Sequence, residues 1–85
     1  MKVRWSKRAY KEKEIWRNKD KKIYQKIIQL LENIKDTPYS GLGKPELLRY
    51  ELSGFWSRRI TIEHRLVYRV VEGRIEVLSC MYHYD

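Results

Sequence analysis

The sequence feature that most constrains the fold is the apolar pattern between Asp20 and Asp36. Aliphatic residues recur there at spacings of three and four, which predicts a helix with one buried face. They are Ile23, Ile27, Ile28, Leu30, Leu31 and Ile34. Asp20 can cap the start of this helix, and Thr37-Pro38 ends it, because the residue before a proline is pushed out of the α region. Such a helix needs a second apolar layer to pack against.

Strand patterns before and after this helix supply that layer. The alternating segment Lys2 to Trp5 predicts an edge strand, and Ser6 can cap a first helix that runs to about Asn18. After the loop TPYSGLGKPE, strand signals dominate from about Leu48, before Ser53-Gly54. Three further strands are expected at Trp56 to Ile62, Arg65 to Val70 and Arg74 to Tyr82. The order β-α-α-β-β-β-β predicts an α+β fold, with two N-terminal helices on one face of a small, mainly antiparallel sheet.

The length of 85 residues predicts one domain, residues 1–85, with one modest core. The single cysteine, Cys80, cannot form an internal disulfide and has no partner at metal-ligand spacing, so we expect a buried thiol in a reducing compartment. Neither a signal peptide nor an 18-residue apolar span is present in the sequence. We therefore expect a cytoplasmic protein without a membrane partner.

The charge balance favours a polyanionic partner. Nineteen Lys and Arg against eleven Asp and Glu give a formal net charge of +8, which attracts polyanions through counterion release. RNA, DNA, an acidic protein or an anionic membrane could each be that partner, and a basic surface on a small protein is most often only a solvated face. Charge alone therefore does not identify the partner.

Strand register decides which arginines share a sheet face. If residues 62–64 form a three-residue loop, Ile60 pairs with Leu66 on one face, while Arg59 and Arg65 share the other. If residues 71–73 form a second three-residue loop, Arg65 lies opposite Ser79 and His83 projects from the same face. A two-residue turn at Glu72-Gly73 breaks that second alignment.

A cationic sheet face with a nearby base and acid suits phosphodiester cleavage. Arg59 and Arg65 can bind phosphate oxygens through their guanidinium groups. The carboxylate of Glu46 lies in the Gly- and Pro-rich loop near the cations Lys44 and Arg49. Glu46 can take a proton from a ribose 2′-hydroxyl, and His83 can protonate the leaving oxygen, with no metal or cofactor required. Taken alone, Glu46 is more often a loop charge and His83 a structural or exposed residue. His64, beside Glu63, is interpreted as a turn or pairing residue.

Three segments, in order, resemble one family. They are GKPELL from Gly43, LSGFWSRRITIEHRLVYRV from Leu52 and CMYHY from Cys80. Together with KVRWSKRAY near the start, they resemble the YoeB (Txe) toxins of bacterial toxin–antitoxin modules, within the RelE-like superfamily. The sequence departs from the usual pattern at its end, where Asp85 follows the Tyr-His-Tyr, and at Leu47, Arg49 and Ile62.

This resemblance implies a ribosome-dependent endonuclease that cuts messenger RNA in the A site, contacts ribosomal RNA and is neutralised by a YefM-like antitoxin. It implies a 2′,3′-cyclic phosphate product and no metal. The family's residues map onto Glu46 as general base, Arg65 as the phosphate-stabilising arginine and His83 as general acid. Arg59 and Tyr84 match substrate-binding positions that line the same site, and Lys44 and Arg49 are expected to bind substrate as supporting cations.

Two other classes of function stay open at this point. The chain could be a noncatalytic basic module that docks on ribosomal RNA or operator DNA. It could also be a protein-binding domain whose cationic face takes an acidic peptide, as an antitoxin segment would. Self-association into a homodimer is a further option.

Overall fold

The computed structural model describes residues 1–82 and has two helices packed on one face of a five-stranded sheet. The strand order is β1-β5-β4-β3-β2, with β1 parallel to β5 and the other neighbours antiparallel. The elements are β1 (Lys2–Trp5), α1 (Lys7–Lys19), α2 (Lys21–Asp36), β2 (Glu46–Leu47), a 3-10 helix (Tyr50–Leu52), β3 (Trp56–Arg59), β4 (Arg65–Val71) and β5 (Arg74–Ser79). This confirms the predicted α+β class.

Both helices begin at the predicted caps. The Ser6 hydroxyl accepts a hydrogen bond from the Ala9 amide and donates one to the Leu78 carbonyl, at 2.9 and 2.7 Å, which fixes α1 to β5. The Asp20 carboxylate accepts from the first amides of α2, and α2 ends at Asp36, directly before Thr37. Within residues 1–82, no helix is long and apolar enough to cross a membrane.

The core lies between the helices and one sheet face. Four residues of the predicted stripe, Ile27, Leu30, Leu31 and Ile34, are buried. They join a cluster that includes Ala9, Ile60, Leu66, Tyr68, Ile75, Val77 and Cys80. Ile28 lies at the margin of the stripe and is 38% exposed. Because the helices cover this face, the residues that alternate with Leu66 and Tyr68 point to the opposite face, called the site face below.

The predicted strand beginning near Leu48 is wrong. Its place in the sheet is taken by β2, which has only two residues and pairs with β3. Leu48 still donates its amide to the Phe55 carbonyl, but the next residues bond locally, with the Ser53 amide donating to the Tyr50 carbonyl. Tyr50 has a φ of 60°, in the left-handed region, so the chain leaves the strand direction there.

The β3–β4 hairpin places Arg59 directly opposite Arg65. The predicted pairing of Ile60 with Leu66 is wrong, because the Ile60 amide donates to the His64 carbonyl and closes a longer loop. Leu66 pairs with Arg58 instead. The shift is by two residues, which preserves the face of each side chain, so the prediction that Arg59 and Arg65 share a face is confirmed.

The β4–β5 hairpin has the two-residue turn, Glu72-Gly73, rather than the three-residue loop. Both turn residues have positive φ, 50° and 75°, as a type I′ turn requires. The register then shifts between Val67 and Tyr68, so Ser79 lies opposite Val67 and not opposite Arg65. The predicted pairing of Arg65 with Ser79 is therefore wrong, since a bulge changes the register along the hairpin.

Candidate active site

Two arginines face each other on the site face. Arg59 is exposed and Arg65 is half-buried, and their backbones are direct cross-strand partners. Side chains at such positions have Cβ atoms about 5 Å apart, and like charges there repel. Repulsion of this kind is offset when an anion lies between the two guanidinium groups. The pair therefore places two positively charged side chains next to each other on the site face.

Glu46 lies one strand away from this pair. It is the cross-strand partner of Ser57, so both side chains are on the site face. Ser57 is fully buried, and the Arg65 Nη1 atom approaches its hydroxyl at 3.4 Å. Arg65 thus leans along the sheet toward β2. The structure therefore brings Glu46, Arg59 and Arg65 together around Ser57, a residue that the sequence interpretation did not single out.

Arg58 has the opposite environment from its neighbour Arg59. It is fully buried on the helix side, where its five N–H groups all find oxygen acceptors. The acceptors are the Asn33 side chain, the Tyr68 hydroxyl and the carbonyls of Thr37, Ser40 and Leu42. Strand alternation, with Trp56 and Ile60 on the core side, is the sequence signal that could have predicted this burial.

Arg58 and Tyr68 together fix the loop that leads to Glu46. The Tyr68 hydroxyl donates to the Pro38 carbonyl at 2.6 Å while it accepts from Arg58. Burial raises the pKa of Tyr68, and the adjacent Arg58 opposes this effect. Further along, the Gly43 carbonyl accepts from the Arg59 amide at 2.7 Å. The loop is thus attached to β3 three residues before Glu46.

Gly43 must be glycine at this attachment. Its φ is 79°, and an added Cβ would lie 3.0 Å from the Arg59 carbonyl oxygen and from the Leu30 side chain. A larger residue would therefore push the loop away from β3. Close approach of the backbone here is what sets the position of β2 relative to the arginine pair.

The two supporting cations lie on either side of β2. Lys44 and Arg49 are both exposed, and Lys44 has a φ of 51°. Arg49 lines a hollow of about 370 Å³ that Glu46 also lines. Tyr50, 85% exposed, borders the same hollow. Both predicted cations are therefore near the candidate base.

The predicted acid, His83, and Tyr84 lie outside the described residues. The chain leading to them is held through Tyr82. The Glu12 carboxylate accepts from the Cys80 amide at 2.8 Å, and the Trp16 indole donates to the Cys80 carbonyl at 2.9 Å. Burial raises the pKa of Cys80 to about 12, and the nearby Glu12 adds to this effect. Cys80 is thus a buried, unreactive thiol, as expected from the sequence.

Additional charges extend the site face along β4. Arg69 lies four residues after Arg65 on the same face, with its guanidinium 5.0 Å from the Phe55 ring centre. Glu76 bonds to Arg69 at 2.8 Å and to Arg74 at 3.0 Å, and these hydrogen bonds hold its pKa below the usual range. Together with Arg4, Arg69 and Glu76 line a second hollow of about 250 Å³.

Comparison with known proteins agrees with this architecture. The family described as "YoeB-like toxin of bacterial type II toxin-antitoxin system" matches residues 5–84. Toxin YoeB of Escherichia coli (strain K12) is 48% identical over 84 residues, which cover 99% of this chain and 100% of that toxin.

Solved structures give the same result. A YoeB/ParE toxin from Agrobacterium tumefaciens superposes with a TM-score of 0.94 at 46% identity, covering 99% of this chain and 100% of that one. YoeB from Staphylococcus aureus, solved in a heterotetrameric complex with YefM and also as a dimer, gives a TM-score of 0.93 at 41% identity, covering 99% and 98%.

The fold, the cationic site face and these matches define the toxin component of a bacterial toxin–antitoxin system. The chain belongs to the YoeB-like toxin family of the type II systems. The family resemblance carried by GKPELL, the long arginine-rich segment and the C-terminal CMYHY is thereby confirmed.

Proposed function

We propose that this toxin is a ribosome-dependent endoribonuclease that cuts messenger RNA in the ribosomal A site. The observation that supports the proposal best is the juxtaposition of Arg59 and Arg65, with Glu46 one strand away across Ser57. Fixed guanidinium groups stabilise a phosphate that gains negative charge, and a carboxylate beside them can accept a proton. Membership of the YoeB-like family is consistent with this chemistry.

The proposed reaction is an internal transfer at one phosphodiester. Glu46 takes the proton from the ribose 2′-hydroxyl, and the 2′-oxygen forms a bond to phosphorus while the bond from phosphorus to the 5′-oxygen breaks. His83 gives its proton to the departing 5′-oxygen. Arg65 and Arg59 bind the non-bridging oxygens, on which negative charge accumulates. The products are a 2′,3′-cyclic phosphate and a 5′-hydroxyl, and no metal takes part in these steps.

The remaining site residues hold the message. Lys44 and Arg49 contribute charge to neighbouring phosphates, because both are exposed beside β2. Tyr84 is assigned to a nucleobase near the acid, since aromatic rings stack on unpaired RNA bases. Work on the ribosome, with contacts to ribosomal RNA, implies that the toxin acts in the cytoplasm.

A YefM-like antitoxin is the proposed inhibitor, and a homodimer is the proposed assembly. YoeB from S. aureus has been solved both with YefM and as a dimer. A disordered acidic segment that folds over the site face would mask the same cations that hold RNA. Antitoxin binding and cleavage would then exclude each other.

Single-turnover cleavage on ribosomes programmed with a defined codon tests the proposal. We expect Glu46→Gln and His83→Ala each to lower the rate constant at least about tenfold, with a cyclic phosphate on the wild-type product. Arg65→Ala should lower the rate constant more than the ribosome affinity, because it removes a contact to the transition state.

Glu72→Gln is the matched control, since Glu72 is an exposed carboxylate in the turn at the far end of β4. It should cleave like the wild type. If the wild type bound ribosomes without cleaving the message, the proposed endoribonuclease activity would be refuted and a noncatalytic binding module supported. Normal cleavage by Glu46→Gln would refute the assignment of the base.

A further inference from the structure

His64 is a buried histidine whose ring nitrogen bonds to the backbone. It is 8% exposed, and its Nδ1 atom accepts a hydrogen bond from the Tyr82 amide at 2.8 Å. A ring nitrogen can accept only if it carries no proton, so this contact selects the neutral imidazole with its proton on Nε2. The prediction that His64 is a turn or pairing residue does not include this role.

The ring is held in place from two sides. The Trp16 ring packs edge-on against it at 4.7 Å between centroids, and the Tyr82 ring lies at 5.1 Å. The Nδ1 atom therefore has a defined position toward the C-terminal segment. A histidine that only filled space would need neither this orientation nor a single tautomer.

Both backbone groups of Tyr82 are bound by adjacent residues at the start of β4. Its amide donates to His64, and its carbonyl accepts from the Arg65 amide at 3.2 Å. Tyr82 has a φ of 61°, a conformation that costs free energy for a residue with a side chain. Surrounding contacts must therefore hold it, and these two backbone hydrogen bonds contribute to doing so.

We propose that His64 is a positioning residue for the proposed cleavage reaction. Its imidazole fixes the backbone of Tyr82 against Arg65, and Tyr82 directly precedes His83, the proposed acid. His64 itself touches neither the phosphate nor a transferred proton in this scheme. This inference depends on the proposed function, because positioning an acid matters only if the toxin cleaves RNA.

Two substitutions distinguish the effect of the hydrogen-bond acceptor of His64 from the effect of its aromatic ring. His64→Phe keeps an aromatic ring beside Trp16 but removes the acceptor, whereas His64→Asn offers a carbonyl oxygen near the position of Nδ1 without the ring. We expect His64→Phe to lower the single-turnover rate constant about tenfold or more, with ribosome affinity changed less than about twofold. His64→Asn should recover a large part of the rate. Amide exchange at Tyr82 should be faster in the Phe variant than in the wild type.

Nitrogen NMR of the wild type gives a readout without cleavage, and we expect an unprotonated Nδ1 bonded to the Tyr82 amide. A protonated Nδ1 would overturn the inference even if the Phe variant failed to fold. If the wild type cleaved RNA and His64→Phe cleaved it equally fast, the inference would also be overturned. The same holds if His64→Phe lost rate constant and ribosome affinity to the same extent and His64→Asn did not recover the rate. If the wild type bound ribosomes but did not cleave, the proposed function would fail while the NMR result still reported on the hydrogen bond.

Discussion

Arg58 is buried, and within residues 1–82 it has no carboxylate partner, so that neutral oxygens accept all five of its hydrogen bonds. Five hydrogen bonds surround its guanidinium, four of them to α2 and the loop that follows. Alternation of β3 could predict that Arg58 and Arg59 point to opposite faces. The acceptors could not be predicted, because the Thr37, Ser40 and Leu42 carbonyls converge only through the path of the folded loop.

Replacing Arg58 should therefore destabilise the whole domain. We expect Arg58→Met to lower the free energy of unfolding by about 2–4 kcal/mol, because buried carbonyl oxygens lose their donors. Urea unfolding monitored by tryptophan fluorescence measures this change. Arg59→Met is the matched control on the exposed side of the same strand, and it should change the free energy by less than about 0.5 kcal/mol. Equal effects in both variants would contradict the structural role of Arg58.

At the scale of elements, both helices and the edge strand β1 were predictable, whereas the two-residue strand β2 was not. The α2 helix has a cap, an apolar stripe and a proline stop that all agree, so its bounds follow from local signals. The β2 strand has two residues, and its place depends on the contact between Gly43 and Arg59. The prediction that Arg59 and Arg65 share one face of the sheet was correct, because a register error of two residues does not change the face on which a side chain lies.

The Glu72-Gly73 turn offers a test of the β4–β5 hairpin. Glu72 has a φ of 50°, and Asn is preferred over Glu at this position of a type I′ turn. Glu72→Asn should therefore raise the free energy of unfolding by about 0.5–1 kcal/mol, with cleavage unchanged. The variant also loses the exposed 3.5 Å ion pair between Glu72 and Arg74, which should change the free energy of unfolding little. Thermal unfolding measures this increase in the free energy of unfolding. If Glu72→Gln were stabilised as much as Glu72→Asn, the cause would be the lost charge and not the turn geometry.

Over the whole molecule, the helix-covered face of the sheet carries the apolar core with the buried Arg58, and the opposite face carries exposed arginines together with Glu46 and Glu76. The helices cover the face with Leu66 and Tyr68, and the site face keeps Arg59, Arg65 and Arg69. The overall excess of positive charge was evident in the sequence. Which arginines share the site face along β4 could not be predicted without the register of the strands. A strand of RNA that followed β4 from Arg65 to Arg69 would span about 13 Å, roughly two nucleotides.

This distribution predicts how ribosome binding depends on salt. Each phosphate contact releases counterions, so the logarithm of the association constant should fall linearly with the logarithm of the KCl concentration. Arg69→Ala should weaken binding and reduce that slope by about 1, without lowering the single-turnover rate constant at saturating ribosomes. Arg69→Lys keeps the charge and should keep the slope. Binding titrations between about 50 and 200 mM KCl measure both quantities. An unchanged slope in Arg69→Ala would mean that the RNA does not extend along β4, and that the cations near Glu46 alone hold it.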